Sequence, residues 1–315
     1  GKFGRHRAGA RVTEVVAVDS LVKAYEGRRV VDGVSFSVPT GECFGILGPN
    51  GAGKTTTLRC VLGITSADQG SIRLAGAQVP REARTARYRV GVVPQFDNLD
   101  PDFTVEENLV IWARYFDISR KQARARVPGL LEFAGLSDRG RDRIDALSGG
   151  MKRRLTIARA LINDPDVIFL DEPTTGLDPQ ARHLVWDGLR GLTKSGKTLI
   201  LTTHFMDEAE RLCDRLCVMD RGKIIAMGSP RALIESHIEP VVVELFGEGV
   251  DVWADHYGRH LSSRMEISGE TAFCSTNSAE LVLESLKNWP QLRAMRRAAN
   301  LEDVFIKLTG RDIRD

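Results

Sequence analysis

The chain has 315 residues, enough for one main domain and a smaller second one, since domains average about 150 residues. Its 44 Lys and Arg residues nearly balance 42 Asp and Glu residues, which gives no general argument for a nucleic-acid partner and excludes a highly charged disordered chain. No apolar run approaches the ~20 residues that span a bilayer, and five cysteines without framework spacing favour a reducing compartment.

The N-terminal segment changes character at residue 12. Residues 1–11 are rich in glycine and basic, which predicts a flexible, solvated tail, with contact to an anionic membrane surface as the alternative. From Val12 to Val38, apolar and polar residues alternate between Gly and Asp, and this pattern predicts antiparallel strands. Tyr25, after the first strand, offers an aromatic face for adenine, although such a tyrosine is more often a packing residue. The basic side chains of the tail are Lys2, Arg5, Arg7 and Arg11.

A glycine-rich loop lies between an apolar run, Cys43–Leu47, and a segment with helical spacing, Lys54–Leu62. Strand, loop and helix in this order predict an ATP phosphate site, because the loop N–H groups and the positive helix end face the phosphates. We expect Lys54 to reach the β- and γ-phosphates and Thr55 to ligate Mg²⁺. The predicted nucleotide-binding residues here are Gly48, Pro49, Asn50, Gly51, Ala52, Gly53, Lys54, Thr55 and Thr56.

Residues 104–160 are predicted to be mostly helical. Thr104 and Glu107 have the spacing of a capping box, and Gln122–Phe133 has helix-like periodicity that is interrupted at Pro128-Gly129. Gln95 precedes this block, after a short apolar strand. An amide oxygen is a weak but adequate metal ligand, whereas in isolation Gln95 would be an ordinary loop residue.

The turn Leu147–Gly150 is the most specific motif in the chain. The Ser148 hydroxyl and the N–H groups of Gly149 and Gly150, at a helix N-terminus, are anion donors. A Ser-Gly-Gly turn shortly before a strand that ends in acids indicates a second, incomplete nucleotide surface. Such a surface needs a partner subunit to complete it.

Two buried strands, Val167–Leu170 and Thr198–Thr202, each end in a polar side chain. After the first, Asp171 is expected to hold Mg²⁺ through water, and Glu172 to accept a proton from the attacking water. A pair of adjacent acids can also be an ordinary N-terminal helix cap. The residues that follow, from Pro173 to Asp178, disfavour this alternative because such a string is hard to produce by chance. His204, after the second strand, is expected to bind the γ-phosphate, although a lone histidine is more often structural.

The C-terminal residues 239–315 carry no chemical motif. A boundary is predicted near Pro240, followed by a strand over Val241–Phe246 and a helix over Ala279–Leu286. We expect a small α+β domain with a regulatory or dimer-stabilising role.

The order of these motifs over residues 12–238 resembles the ATP-binding subunits of ABC transporters. The resemblance implies an α/β P-loop NTPase core with an N-terminal antiparallel β subdomain and a helical subdomain at about residues 100–160. It also implies ATP and Mg²⁺ as cofactors, and a head-to-tail homodimer with ATP between the phosphate loop of one subunit and Ser148–Gly150 of the other. Met151 departs from the Gln that commonly ends the family signature. The motifs are Tyr25, Gly48–Thr55, Gln95, Leu147–Gly150, Asp171-Glu172, Asp178 and His204.

Four further strings resemble the ATP-binding subunits of Nod factor exporters. The resemblance implies export of lipo-chitooligosaccharide signals with a separate ABC-2 type permease, and a peripheral location on the cytoplasmic face of the bacterial inner membrane. Drug-export ATPases are the alternative, followed by ABC ATPases that act on DNA or ribosomes and by a P-loop kinase. We expect no nucleic-acid partner. The strings are Gly91–Asp100, Leu161–Pro165, His204–Cys217 and Asn300–Phe305.

Overall fold

The structure is a computed structural model that describes residues 14–310. The predicted basic tail over residues 1–11 therefore lies outside the described residues. Contacts divide the chain into two compact units, with the division between Ala226 and Met227. The boundary predicted from the sequence, near Pro240, is later than this division. That prediction assigns the helix before Pro240 to the first domain.

The first unit contains two sheets and seven α-helices in the described part of the chain. Its strands are β1 (Glu14–Tyr25), β2 (Arg28–Pro39), β3 (Cys43–Leu47), β4 (Gln69–Leu74), β5 (Ala77–Val79), β6 (Val90–Val93), β7 (Val167–Asp171), β8 (Thr198–Thr203), β9 (Arg215–Asp220) and β10 (Lys223–Gly228), the last of which crosses the division. Its helices are α1 (Lys54–Val61), α2 (Ala83–Arg87), α3 (Val105–Trp112), α4 (Arg120–Ala134), α5 (Gly149–Ala160), α6 (Pro179–Lys194) and α7 (Met206–Leu212).

An antiparallel sheet has the order β2-β1-β4-β5 within residues 14–310 and confirms the strands predicted at the N-terminus. Its apolar side chains, such as Val16, Val18 and Leu21, are buried in one core with residues of the second sheet, including Phe44 and Ile46. The alternation of apolar and polar residues thus reflects a sheet with one covered face.

The second sheet has the order β10-β9-β3-β8-β7-β6, and β3, β6, β7, β8 and β9 run parallel. Cys43–Leu47 and Thr198–Thr203 are buried along their whole length, as expected for strands covered on both faces. The carboxyl ends of parallel strands share one edge, which is where open α/β sheets bind ligands. Gly48, Gln95, Glu172 and His204 follow β3, β6, β7 and β8 within two residues.

Helices α3, α4 and α5 pack around a shared apolar core and form the predicted helical subdomain. The capping box at Thr104 and Glu107 is present. The predicted interruption at Pro128 is wrong, because α4 continues through it to Ala134. Proline removes one intrahelical hydrogen bond, but packing of an apolar face provides most helix stability in proteins. The buried face of α4 includes Val127, Leu130 and Leu131.

The second unit is a four-stranded antiparallel sheet with helices, described to residue 310, with strand order β12-β13-β11-β14. Its strands are β11 (Val241–Phe246), β12 (Arg264–Ser268), β13 (Thr271–Thr276) and β14 (Arg293–Ala298), and its helices are α8 (Pro230–His237), α9 (Val250–Trp253), α10 (Arg259–Leu261), α11 (Ala279–Ser285) and α12 (Leu301–Thr309). Arg297 joins β14 to α12 through two bonds to Asp303, of 2.7 and 2.8 Å, and these bonds raise its pKa. Among the described helices, none combines the length and apolar character needed to cross a membrane.

Candidate functional site

The phosphate loop connects β3 to α1 and holds a buried cation. Gly53, the residue before α1, has a φ of 102°, and a Cβ there would lie 2.5 Å from the Val30 carbonyl oxygen, so the turn requires glycine. Lys54 Nζ donates to the carbonyl oxygens of Gly48 (2.7 Å) and Pro49 (3.0 Å). Burial lowers the pKa of Lys54, while the nearby Glu172 carboxylate opposes this shift. An anion in the loop would relieve that buried charge.

The carboxylate of Asp171 joins β7 to α1 and β8. Its Oδ1 accepts hydrogen bonds from the hydroxyls of Thr55 (3.1 Å) and Thr202 (2.5 Å). Magnesium prefers oxygen ligands and usually keeps several waters. The hydroxyl of Thr55 and the carboxylate of Asp171 therefore form a donor set that fits Mg²⁺.

Glu172 is the centre of the site and is only 7% exposed. Its Oε1 lies 3.3 Å from His204 Nδ1 and 3.6 Å from Lys54 Nζ. Its Oε2 accepts hydrogen bonds from Gln95 Nε2 (3.2 Å) and Thr175 Oγ1 (3.1 Å). The nearby His204 ring, followed by the Lys54 ammonium and the Thr175 hydroxyl, lowers the pKa of Glu172 to about 2. The carboxylate is therefore ionised at neutral pH, which is the protonation state that a general base requires.

The backbone of Glu172 is strained. Its φ is 45°, in the left-handed region, which costs a residue other than glycine about 1–2 kcal/mol. Its N–H group donates to Thr202, to the carbonyl oxygen at 3.1 Å and to the hydroxyl at 3.0 Å. Strain of this kind persists where surrounding contacts hold the residue in place, and it is frequent at functional sites.

The signature turn lies at the exposed N-terminus of α5. The Ser148 hydroxyl caps the helix by accepting the N–H of Met151 at 3.3 Å. A Cβ on Gly150 would lie 2.7 Å from the Ala181 Cβ, so Gly150 is required for the packing of α5 on α6. A Cβ on Gly149 would meet no atom within 4 Å. Packing within this chain therefore explains why residue 150 is a glycine, but it does not explain why residue 149 is one.

The structure brings together only some of the predicted residues. Asp178 caps α6 by accepting the Ala181 N–H at 2.9 Å, and Tyr25 is 46% exposed, with Lys23 Nζ 5.3 Å from its ring centre. Ser148–Gly150, Asp178 and Tyr25 thus lie at exposed ends of other elements. The joined cluster consists of Lys54, Thr55, Gln95, Asp171, Glu172 and His204. Pro49, Asn50, Gly51, Ala52 and Thr56 complete the loop and the first turn of α1.

Sequence reasoning missed three residues that hold the cluster. Thr202 contacts Asp171 and the Glu172 N–H, Thr175 contacts the Glu172 carboxylate, and Arg153 contacts the Glu172 carbonyl oxygen. Arg153 follows Gly150 by three residues and so lies on the helix face that packs toward the core. That spacing indicates a buried position, but it does not identify the carbonyl oxygens that Arg153 contacts.

Glu208 is a fully buried carboxylate beside the site, and it leads to a prediction about pH. Its Oε1 accepts hydrogen bonds from Thr174 (2.7 Å) and Trp186 (3.0 Å), but burial dominates and raises its pKa. Above the ordinary value of 4.5 the unfolded chain releases this proton and the folded chain retains it, so a rise in pH favours unfolding. We expect Glu208→Gln to gain stability relative to the parent as the pH rises above 4.5, by about 1 kcal/mol or more.

Denaturant unfolding of both chains at several pH values measures this difference. Glu132→Gln, which changes an exposed glutamate on α4, is the matched control and should show no such trend. A difference between Glu208→Gln and the parent that does not vary with pH would contradict the assignment.

Comparison with known proteins agrees with this geometry. Residues 31–175 match the ABC transporter family, and residues 251–310 match the family described as nodulation factor export protein NodI, C-terminal domain. The chain is 60% identical to Nod factor export ATP-binding protein I of Paraburkholderia xenovorans, covering 95% of this chain and 98% of the relative. It is 55% identical to the protein of that name from Ralstonia nicotianae, covering 98% and 97%.

Solved structures resemble more than two thirds of the chain, at 70% and 68% coverage. A structure described as the ATP binding subunit of an ABC transporter has a TM-score of 0.64 and 29% identity, over 70% of this chain and 92% of that one. A dimeric ATP-binding cassette in a post-hydrolysis state, bound to ADP and Pi, has a TM-score of 0.62 and 26% identity, over 68% and 98%. The predicted fold class is confirmed. The chain belongs to the family of the Nod factor export ATP-binding protein I, the ABC transporter subunits that bind and hydrolyse ATP and act as dimers with a membrane permease.

Proposed function

We propose that this chain powers the export of lipo-chitooligosaccharide signals (Nod factors) from a bacterium. It would work on the cytoplasmic face of the inner membrane, attached to a separate permease of the ABC-2 type. The observation that carries the proposal is the match of residues 251–310 to the nodulation factor export family, because the ATP-binding core alone is common to transporters of many cargoes. Identity of 55–60% with relatives of that name over most of the chain supports it.

The site supports ATP hydrolysis with assigned roles. Lys54 and the loop N–H groups would bind the β- and γ-phosphates, and Thr55, Asp171 and Gln95 would hold Mg²⁺, which neutralises phosphate charge when bound. Glu172, kept ionised by His204, would accept a proton from the attacking water. His204 would itself donate to the γ-phosphate.

A homodimer would complete the site. The open space beside the Gly149 Cα and the exposed Ser148 hydroxyl suit a phosphate presented by a second copy of the chain. Asp178, at the exposed start of α6, would lie at the same interface, and Tyr25 would stack on adenine. ATP would thus join two subunits head to tail, with two equivalent sites.

The permease would contact the surface from Gln95 to Asn108, with residues 104–135 as the lever. Phe96 follows Gln95 and is 79% exposed, which is unusual for a large apolar side chain and typical of a contact surface. A cavity of about 370 Å³ adjoins β6, the strand that leads to Gln95, and is lined by aromatic side chains. They are Tyr88, Trp112, Tyr115 and Phe116.

Export in cells tests the proposal. Deletion of this chain in its host should abolish the appearance of acylated chitin oligomers in the medium while their synthesis inside the cell continues. Re-expression of the parent chain should restore export, and re-expression of Glu172→Gln at equal abundance should not. Normal export without the chain, together with loss of resistance to a drug, would favour the drug-export alternative.

A further inference from the structure

The guanidinium of Arg153 is buried beneath the catalytic cluster and is only 4% exposed. Its Nε donates to the Pro173 carbonyl oxygen at 2.7 Å, and its Nη2 donates to those of Asp171 (3.2 Å) and Glu172 (3.3 Å). Its Nη1 donates to the carbonyl oxygens of Pro94 (2.5 Å) and Gln95 (3.4 Å). An arginine has five N–H groups, and here each one finds a main-chain acceptor.

These contacts hold the strained backbone of Glu172 from one side. Thr202 of β8 fixes its N–H group, and Arg153 of α5 fixes its carbonyl oxygen. Since φ at Glu172 lies in the left-handed region, the direction of its side chain depends on both anchors. A movement of Arg153 would therefore re-aim the Glu172 carboxylate.

The same guanidinium also binds the main chain at Gln95, whose side chain donates a hydrogen bond to Glu172. Asp97 Oδ1 lies 3.5 Å from Arg153 Nη1 and accepts a hydrogen bond from Thr156 at 3.3 Å. Arg159 adds a bond of 3.0 Å to the Asn98 carbonyl oxygen. Helix α5 thus contacts residues 94, 95, 97 and 98 of this segment.

Arg153 lies one helical turn after Gly149, so the start of α5 and this guanidinium move together. In the proposed head-to-tail dimer, the start of α5 faces the partner's ATP, whereas Glu172 of the same chain faces the chain's own ATP. We propose that Arg153 is a positioning residue that makes the orientation of Glu172 depend on the placement of the Ser148–Gly150 helix end, and so links the two ATP sites. This inference rests on the roles proposed above for Glu172 and for the dimer.

The test is Arg153→Lys in the full chain, assayed for ATP hydrolysis over a range of ATP concentrations. Lysine keeps the charge but replaces a planar five-donor fork with a single ammonium, which cannot bridge both sets of carbonyls. We expect kcat to fall about tenfold to a hundredfold, as for a misplaced catalytic group, with KM within about twofold of the parent. We also expect the Hill coefficient, above 1 in a linked dimer, to fall to about 1.

Arg159→Lys is the matched control, since Arg159 lies on the same helix and is equally buried, at 4% exposure, but contacts Asn98 rather than the Asp171–Pro173 backbone. It should lower the melting temperature to a similar degree and keep the kcat and the Hill coefficient. Equal kinetic losses in both variants would reduce Arg153 to a general packing role and overturn the inference.

Two further variants make the result decisive. Asp97→Asn loosens the guanidinium without removing it, and it should shift kcat and the Hill coefficient in the same direction by less, even if Arg153→Lys does not fold. If Glu172→Gln is inactive but Asp97→Asn and Arg153→Lys both show the parental kcat and Hill coefficient, the role of Arg153 is refuted while that of Glu172 stands. If Arg153→Lys does not fold, parental kinetics in Asp97→Asn refute the role of Arg153 in the same way. Parental turnover by Glu172→Gln would instead refute the proposed base, and the inference with it.

Discussion

Glu172→Gln is expected to bind ATP, form a stable dimer and fail to hydrolyse the nucleotide. Glutamine keeps the shape and can still accept the Thr175 hydroxyl, but it cannot take a proton from water. Removal of a general base costs about a hundredfold to ten-thousandfold in rate. Loss of the negative charge beside Lys54 also favours the retention of an anionic ligand. Single-turnover hydrolysis and size-exclusion chromatography with ATP measure both effects.

The control for this variant is Glu132→Gln, which makes the same chemical change at an exposed position on α4. It should hydrolyse ATP at the parental rate and dimerise only transiently. Rapid turnover by Glu172→Gln would refute the assigned role, because no other carboxylate in the described structure joins Lys54, His204 and Gln95.

Gly149→Glu is expected to leave the fold intact and abolish ATP-dependent dimerisation. A Cβ at this position meets no atom within 4 Å, and an acidic residue in the first turn stabilises a helix by about 0.3–1 kcal/mol. In the dimer, however, the new carboxylate would face the phosphates of the partner's ATP. The melting temperature should therefore stay level or rise while the ATP-bound dimer disappears.

Gly191→Glu is the matched control, because Gly191 is an exposed helical glycine of α6 whose Cβ would also meet nothing within 4 Å. It should dimerise with ATP as the parent does. If Gly149→Glu forms the ATP-bound dimer as readily as Gly191→Glu, the start of α5 does not face a phosphate.

The sequence predicted elements whose signal is local. Cys43–Leu47 and Val241–Phe246 form strands with the predicted limits, since runs of five or six mainly apolar residues fit strands buried on at least one face. The helix at Pro128 was predicted less well. The low helix propensity of proline predicts a break at this position. The buried face of α4, however, packs against residues that are distant in sequence, and this packing stabilises the continuous helix.

The sequence allowed a prediction for those site residues that follow the ends of parallel strands. Lys54, Asp171 and His204 could be expected at one sheet edge because each follows, directly or by a glycine loop, a parallel strand. Arg153 could not be assigned this way, since its partners are main-chain carbonyls of residues 94–95 and 171–173. A side chain that recognises backbone leaves no matching residue type in the sequence.

The most direct test of a shared site is a mixing experiment in the Glu172→Gln background. One chain also carries Lys54→Met, which removes the phosphate cation, and the other also carries Gly149→Glu. Alone, neither chain should form an ATP-bound dimer. When mixed, they should form one, holding about one ATP per two chains, because one composite site retains both intact halves. A mixture that remains monomeric, or a Gly149→Glu chain that dimerises by itself, would contradict the head-to-tail arrangement.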